Sequence, residues 1–332
     1  MINSKAARRF RQIGTITIIA VYILILIGGI VRASGAGMGC PDWPTCFGQL
    51  IPPTDESQLP ENYHEIYAEL GYANTDFNPI KTWTEYLNRL SGVTIGFLIM
   101  LTVWYSRVYL KTDKTVFYLS LSVLFLVSFQ GWLGSVVVAS NLHPFMITLH
   151  MLLALTIVAL LIYVIARSQR DELTTMDTGN LPKNVKTVLI IAMAMTLLQV
   201  IMGTQVREAV DLIAQNHAYI DRQYWRNDFP IIFYVHRTFS AFILFTNAWI
   251  VWKIISSLPR DHLLFKFSIG LLALVVAAIL AGITLDRFGI PPAAQPIHLL
   301  IANLIFGVQF FIFICLRYSI KESIPASRGL PD

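Results

Sequence analysis

Residues 115–166 read TVFYLSLSVLFLVSFQGWLGSVVVASNLHPFMITLHMLLALTIVALLIYVIA, a run of 52 residues without Asp, Glu, Lys or Arg. A helix rises about 1.5 Å per residue, and a bilayer hydrocarbon core is about 30 Å thick, so this run is more than twice what one crossing needs. Ser140-Asn141-Leu142-His143-Pro144 supplies turn chemistry near its middle. The stretch therefore predicts two membrane helices joined by a tight hairpin.

The same reading extends outward in both directions. Residues 13–31 form a charge-free run of nineteen, and further apolar spans cover residues 82–106, 186–206, 231–252, 267–285 and 293–316. The expected fold is an all-α integral membrane protein with eight transmembrane helices. A barrel is excluded, because its strands need only about ten alternating residues.

Composition agrees. Of 332 residues, 55% are hydrophobic and 14% are charged, against about 25% charged in soluble domains. This excludes a disordered chain, a nucleic-acid binder with a basic face and most soluble enzymes. The formal net charge of +5 is uneven along the chain. Lys5, Arg8, Arg9 and Arg11 precede the first span, and the loops after the second, fourth and sixth spans and the C-terminal tail are basic. These segments are expected inside. Residues 33–80 carry Asp42, Asp55, Glu56, Glu61, Glu65, Glu69 and Asp76 and are expected outside. The split is 17 Lys/Arg with 7 Asp/Glu inside (+10) and 8 Lys/Arg with 13 Asp/Glu outside (−5), so the sum hides a strong asymmetry. Only about a dozen residues precede the first apolar run, without an Ala-x-Ala cleavage site or a mitochondrial presequence. That pattern fits a multi-pass protein of a bacterial inner membrane with both termini cytoplasmic.

The two halves repeat. Gly28-Gly29-Ile30-Val31-Arg32-Ala33 ends the first span, and Gly203-Thr204-Gln205-Val206-Arg207-Glu208 ends the fifth. Asn88-Arg89 in the second span matches His236-Arg237 in the sixth. Gly134 precedes His150 by sixteen residues, and Gly282 precedes His298 by the same sixteen. The expected organisation is two four-helix halves, residues 1–170 and 171–332, related by a pseudo-twofold axis along the membrane normal.

Metal-binding and ionisable groups inside a bilayer are costly and usually functional. His150, His236 and His298 lie within spans, a turn or two from the outer ends. A lone histidine in an apolar helix is more often a satisfied core residue, but the repeat places His236 and His298 at equivalent depths in one half. Two imidazoles on facing helices of a four-helix bundle can hold a haem iron from both sides. Zinc fits less well, since no third or fourth ligand lies at matching depth. In the other half His150 matches His298, Asn88 stands where His236 would be, and Glu85 stands where Phe233 would be. Glu85 and Asn88, at i and i+3, share a helix face. A bis-histidine haem suits electron transfer, whereas a one-histidine site with a nearby acid leaves room for chemistry. The first half is therefore expected to be the reactive site and the second an electron relay.

From the residues alone Glu85 has two readings, a catalytic carboxylate or a partner of Arg89 at i+4. Arg32, Arg89, Arg207 and Arg237 can snorkel to headgroups or clamp haem propionates. They make up four of the eight outside Lys/Arg, at repeat-matched positions, which favours propionates. Cys40-Pro-Asp-Trp-Pro-Thr-Cys46 matches neither a Cys-x-x-Cys redox motif nor a c-type haem attachment site. A structural staple and a redox pair both stay open for it. Cys315 reads as a packing residue, His143 as a hairpin residue, and His64, His217 and His262 as loop residues.

Gly28-Gly29-Ile30-Val31-Arg32-Ala33-Ser34-Gly35-Ala36-Gly37-Met38-Gly39-Cys40-Pro41-Asp42-Trp43-Pro44-Thr45-Cys46-Phe47-Gly48 resembles the first-span and first-loop signature of haem A synthases. Glu85-x-x-Asn88-Arg89, His150, His236-Arg237 and His298 extend the resemblance over nearly the whole chain. That family oxidises a methyl group of haem O to a formyl group, through an alcohol, to make haem A for cytochrome oxidases. The resemblance implies a haem b held by His236 and His298, and a site for substrate haem O in the first half with His150 on its iron. It also implies a role for Glu85 in the oxidation and a Cys40–Cys46 disulfide near the substrate. Haem O synthase and cytochrome oxidase assembly are the partners the resemblance suggests. The sequence departs from the family where Asn88 replaces the usual histidine, which leaves Asn88 as a contact on the second side of the iron. A second loop cysteine pair found in some members is also missing. Two other readings compete: a quinol-linked b-type cytochrome that relays electrons without modifying haem, and a transporter. A transporter would need helices broken at mid-membrane, and no Gly/Pro interruption stands at matching depth.

Overall fold

The computed structural model describes residues 5–179, 181–217 and 224–319. Eight long helices organise them: α1 (Lys5–Ala33), α2 (Pro79–Ser106), α3 (Lys114–Ala139), α4 (Pro144–Arg167), α5 (Val185–Asn216), α6 (Ile231–Ser257), α7 (Leu263–Arg287) and α8 (Ala294–Tyr318). All eight are long and apolar enough to cross a membrane, and no strand occurs among the described residues. The chain is an all-α, multi-pass membrane protein.

Local chemistry sets the helix ends. Asn78 caps α2 by accepting the Lys81 amide at 3.0 Å, and Pro79 opens the first turn, where its missing N–H costs nothing. Asp113 caps α3 through the Thr115 amide. The expected hairpin between α3 and α4 is present. Asn141 and Leu142 take positive φ of 51° and 59° to turn the chain, a conformation uncommon for residues with a Cβ. Asn141 Nδ2 donates to the Glu69 carbonyl at 3.2 Å, which ties the hairpin to the long loop after α1. This side of the molecule is called the loop end below.

Helix pairings form two closed rings. In the first, α1 packs on α2, α2 on α3, α3 on α4 and α4 on α1; in the second, α5, α6, α7 and α8 pack in the same cycle. The rings meet through α1 on α8, α4 on α5 and α4 on α8. Small residues permit the α1–α8 seam: a Cβ on Gly29 would lie 2.9 Å from Pro296 Cβ, and Gly307 faces Tyr22 with no room for a side chain. Such close approach substitutes for a hydrophobic driving force that lipid cannot supply. Each ring has its own apolar core, around Ile99, Val123 and Leu161 in the first and around Leu189, Ile250, Leu271 and Ile312 in the second. The outward faces carry exposed apolar side chains such as Phe97, Phe125 and Phe245, as expected for surfaces solvated by lipid.

The long loop folds on itself over the first ring. Phe47 is its centre, with edge-on contacts to Tyr63, Tyr67, Tyr72 and Phe77 at centroid distances of 5.1–6.4 Å. Tyr72 anchors this cluster by donating to the Met38 and Gly39 carbonyls at 3.0 and 3.2 Å.

Candidate functional site

His150, His236 and His298 lie in the first turns of α4, α6 and α8, at the loop end of each helix. Asn88 occupies the corresponding face of α2. Each of the four positions is faced by a glycine of the preceding helix. A Cβ on Gly134, Gly203 or Gly282 would lie 3.5 Å from Cε1 of His150, His236 or His298, and a Cβ on Gly28 would lie 3.9 Å from Asn88 Oδ1. The glycines leave the width an imidazole needs between tightly packed helices.

His236 and His298 face each other across the second ring with centroids 6.4 Å apart and planes at 70°. A metal bound by both at about 2 Å would set the two centroids about 6 Å apart, so the pair fits one metal between them. Among the described residues no group of three or more His, Cys, Asp or Glu converges on a metal position. Two facing imidazoles could hold a metal whose remaining ligands a macrocycle supplies. His298 Nδ1 bonds the Ala278 carbonyl at 3.0 Å, which leaves its Nε2 to bind.

In the first ring, Glu85 is buried at 3% exposure beneath the cysteine loop. Its Oε2 accepts the Cys40 amide at 2.8 Å, and its Oε1 accepts Arg89 Nε at 3.1 Å and Nη2 at 2.5 Å. The i+4 pairing anticipated from sequence is thus present. Arg89 also donates to the Asp42, Thr45 and Cys40 carbonyls at 2.6, 3.0 and 2.8 Å. Every N–H of that guanidinium has a partner, so Arg89 clamps the loop rather than standing open for a propionate. Cys40 and Cys46 are disulfide-bonded, with Cα atoms 4.8 Å apart. Asp42 closes the small ring by accepting the Phe47 and Gly48 amides at 2.5 and 2.9 Å, and the Thr45 hydroxyl.

The other arginines are arranged around two carboxylates. Arg32 and Arg207 share Asp211, at 3.2 and 2.7 Å, across the boundary between the rings, and Arg207 also meets Gln295. Arg237 and Arg226 pair with Asp286 at 3.4 and 3.3 Å. Arg32 and Arg207 stand four residues beyond Gly28 and Gly203, one turn toward the loop end on the same helix faces.

Residues 11–310 match the COX15-CtaA family, described as "Cytochrome oxidase assembly protein". The chain belongs to this family. It is similar to the "Heme A synthase" of Wolbachia pipientis subsp. Culex pipiens (strain wPip), with 26% identity over 325 residues covering 90% of this chain and 94% of the relative. It is also similar to that of Ehrlichia canis (strain Jake), with 22% identity over 326 residues and 90% of each chain covered. A similarity to the protein of the same name from Shewanella oneidensis is 29% over 188 residues, 57% of this chain and 54% of that relative.

Several residues at the COX15-CtaA site escaped the sequence reading. Gln130 Nε2 donates to the His150 carbonyl and Gln199 Nε2 to the His236 carbonyl, both at 3.0 Å. Each glutamine precedes by four residues the glycine that faces the same histidine, a Gln-x-x-x-Gly spacing that could have revealed them. Asp211 was missed because it has no counterpart in the first half. Cys315 is buried and unpaired, as expected of a packing residue. His64 bonds the Tyr72 carbonyl, His217 meets Asp228, and His262 caps α7.

Proposed function

We propose that this member of the COX15-CtaA family is a haem A synthase, oxidising a methyl group of haem O to a formyl group through an alcohol. The observation that carries the reading is the family match across residues 11–310. The electron-relay alternative draws no support from that match or from the relatives above. Two units do the work, residues 1–170 for substrate haem O and residues 171–332 for a resident haem b. The helix pairings support this division. Exchanging α1 with α5, α2 with α6, α3 with α7 and α4 with α8 maps the set of long-helix pairings onto itself.

In the second unit His236 and His298 would hold the iron of haem b, their 6.4 Å centroid separation being suited to it. Haem b, when bound, supplies one-electron transfer between the substrate site and an external partner. The chain's part is to fix both imidazoles and to keep the pocket dry.

In the first unit His150 binds the substrate iron from one side. Asn88 faces the other side and hydrogen-bonds a small ligand or water there, because its side chain is too short to replace an imidazole. Arg32 and Arg207 stand one turn toward the loop end, where propionates must emerge, and Arg237 is the corresponding candidate on α6. Glu85 stabilises the positive charge that develops as electrons leave the methyl carbon, an interaction strengthened by its low-dielectric setting. The same carboxylate can take a proton from attacking water or from the alcohol. Arg89 and the Cys40 amide hold Glu85 in place, and the Cys40–Cys46 loop roofs it.

The charge distribution supports an inner-membrane placement with both termini cytoplasmic and the cysteine loop outside. Haem O synthase and the cytochrome oxidase assembly apparatus are the partners that fit a substrate and product of this kind. Pigment extraction from cells with and without the gene tests the reading. Loss of haem A with accumulation of haem O is expected on deletion; an unchanged pigment profile would overturn it. His236→Ala protein that kept a low-spin bis-imidazole spectrum would refute the ligand assignment.

A further inference from the structure

Four buried polar atoms at the two haem sites lack hydrogen-bond partners: His150 Nδ1 and Gln130 Oε1 in the first ring, and His236 Nδ1 and Gln199 Oε1 in the second. Each pair belongs to a histidine and the glutamine bonded to its backbone. The same glutamines already donate their Nε2 to the backbone carbonyls of these two histidines. Leaving a donor and an acceptor both unmet costs about 1–3 kcal/mol each when buried, and a metal-ligating histidine almost always donates its other ring nitrogen to an acceptor. The pattern around the repeat is informative. His298 has its acceptor, the carbonyl of Ala278, and Ala278 stands where the first half has Gln130. Leu24 stands where the second half has Gln199, opposite Asn88, which has no imidazole to orient. A glutamine is thus present opposite the two imidazoles that lack a backbone acceptor. It is absent opposite the imidazole that has one and opposite the position that has no imidazole.

We propose that Gln130 and Gln199 are positioning residues for the two haem sites. When Nε2 of His150 or His236 takes an iron, its Nδ1–H donates to the glutamine Oε1, while the glutamine Nε2 keeps its bond to the histidine backbone. A two-point bridge from one side chain fixes the ring plane and sets how much electron density the imidazole gives the iron. His298, anchored by a main-chain carbonyl, is tuned by backbone geometry; His150 and His236 are tuned by a replaceable side chain. The inference rests on the haem-site assignment above.

The test uses the purified, haem-loaded full chain. In Gln199→Glu, a stronger acceptor makes His236 more imidazolate-like, and the low-spin haem is expected to show a lower midpoint potential. In Gln199→Leu the potential rises and the low-spin EPR signal shifts or broadens. Titration of Gln130→Leu with haem O is expected to show affinity weakened about 10- to 100-fold, with Gln130→Glu recovering most of it. Gln199→Glu and Gln199→Leu proteins that both bind haem with the wild-type potential and EPR signal would overturn the proposal. A wild-type protein without any low-spin bis-imidazole haem would instead remove the assignment beneath it. If the leucine variants fail to fold, the glutamate variants alone decide, since they keep an acceptor for Nδ1 and give up only the Nε2 donation to the histidine carbonyl.

Discussion

Gln309 donates its Nε2–H to Asn247 Oδ1 at 2.9 Å in the core of the second ring, both side chains fully buried. Thr196 completes the set by donating to Gln309 Oε1 at 3.0 Å, so α5, α6 and α8 are pinned by one satisfied polar network. Asn247 and Gln309 each lie eleven residues beyond a ligand histidine, three turns along the same helix face. At the repeat-matched positions of the first ring stand Val21, Ile99 and Leu161, all buried and apolar. At this level the half assigned the resident haem carries a polar network joining three helices, whereas the half assigned the exchanging substrate is apolar and joins α1 to α2 one turn away through Thr17 and Thr102.

A single substitution in this network should therefore hurt more than removing it all. Asn247→Leu strands the Gln309 amide and is expected to destabilise the protein by about 1–3 kcal/mol. The triple variant Thr196→Val, Asn247→Ile, Gln309→Leu copies the first ring and is expected to lie within about 1 kcal/mol of wild type. Thermal unfolding in detergent checks the order. A triple variant less stable than Asn247→Leu would show that the network stabilises in its own right.

Glu85→Gln keeps the size of the side chain and an acceptor for the Cys40 amide but removes the charge. If Glu85 acts in the oxidation, haem A formation should fall by about 10²–10³-fold while the protein still accumulates in the membrane. Haem analysis of complemented deletion cells measures it. Normal haem A with stable protein would reduce Glu85 to a partner of Arg89.

Arg89→Lys should release the cysteine loop without unfolding the bundle. A lysine offers a single point charge and cannot reach three carbonyls and a carboxylate together. Loss of these charge-assisted bonds is worth about 2 kcal/mol, or roughly 30-fold faster amide exchange in residues 40–48. Hydrogen exchange by mass spectrometry compares that peptide with α4 as an internal reference. Equal protection in both proteins would mean the disulfide and the Phe47 cluster hold the loop unaided.

The sequence made some of this legible and hid the rest for identifiable reasons. A bilayer forces long charge-free runs, so all eight spans could be read directly, and the turn residues from Ser140 to Pro144 placed the hairpin. The charge-free criterion shortened several helices, two of them most: α1 starts at Lys5 rather than residue 13, and α5 runs to Asn216 rather than residue 206. Helices continue through the headgroup region, where charge is tolerated. The histidines stood out because imidazoles are rare in apolar helices. The Arg89 clamp did not, because its acceptors are backbone carbonyls, which any side chains can present. Asp211 breaks the repeat and was invisible to an argument built on it.

At the end of the molecule opposite the cysteine loop, Arg167 forks onto Asp113, Nε to Oδ2 at 2.7 Å and Nη2 to Oδ1 at 3.1 Å. Partial burial pushes the Asp113 carboxyl up, but the Arg167 hydrogen bonds and charge, with the Thr115 amide, outweigh it and hold the group below its usual range. A depressed folded-state pKa means stabilisation present above the ordinary aspartate value of about 4 and lost as pH falls through the lower folded value. Asp113→Asn should thus be less stable than wild type at pH 7, and the gap should close as pH falls below the ordinary aspartate value of about 4. Parallel melting curves across that range test it. A gap independent of pH would assign the effect to helix capping alone.

Asn88 marks the clearest difference between the two sites, and it can be reversed. Gly28 leaves the same kind of clearance opposite Asn88 that Gly203 leaves opposite His236. Asn88→His should therefore fit without displacing α1. With substrate haem O bound, the wild-type first ring is expected to give a spectrum with one protein imidazole and to bind added imidazole or cyanide. Asn88→His should give a second low-spin, bis-imidazole haem that resists both ligands. Optical and EPR titrations distinguish the two states. If wild-type protein already shows two low-spin haems closed to added ligand, Asn88 does not leave the iron open, and the single-histidine substrate site must be abandoned.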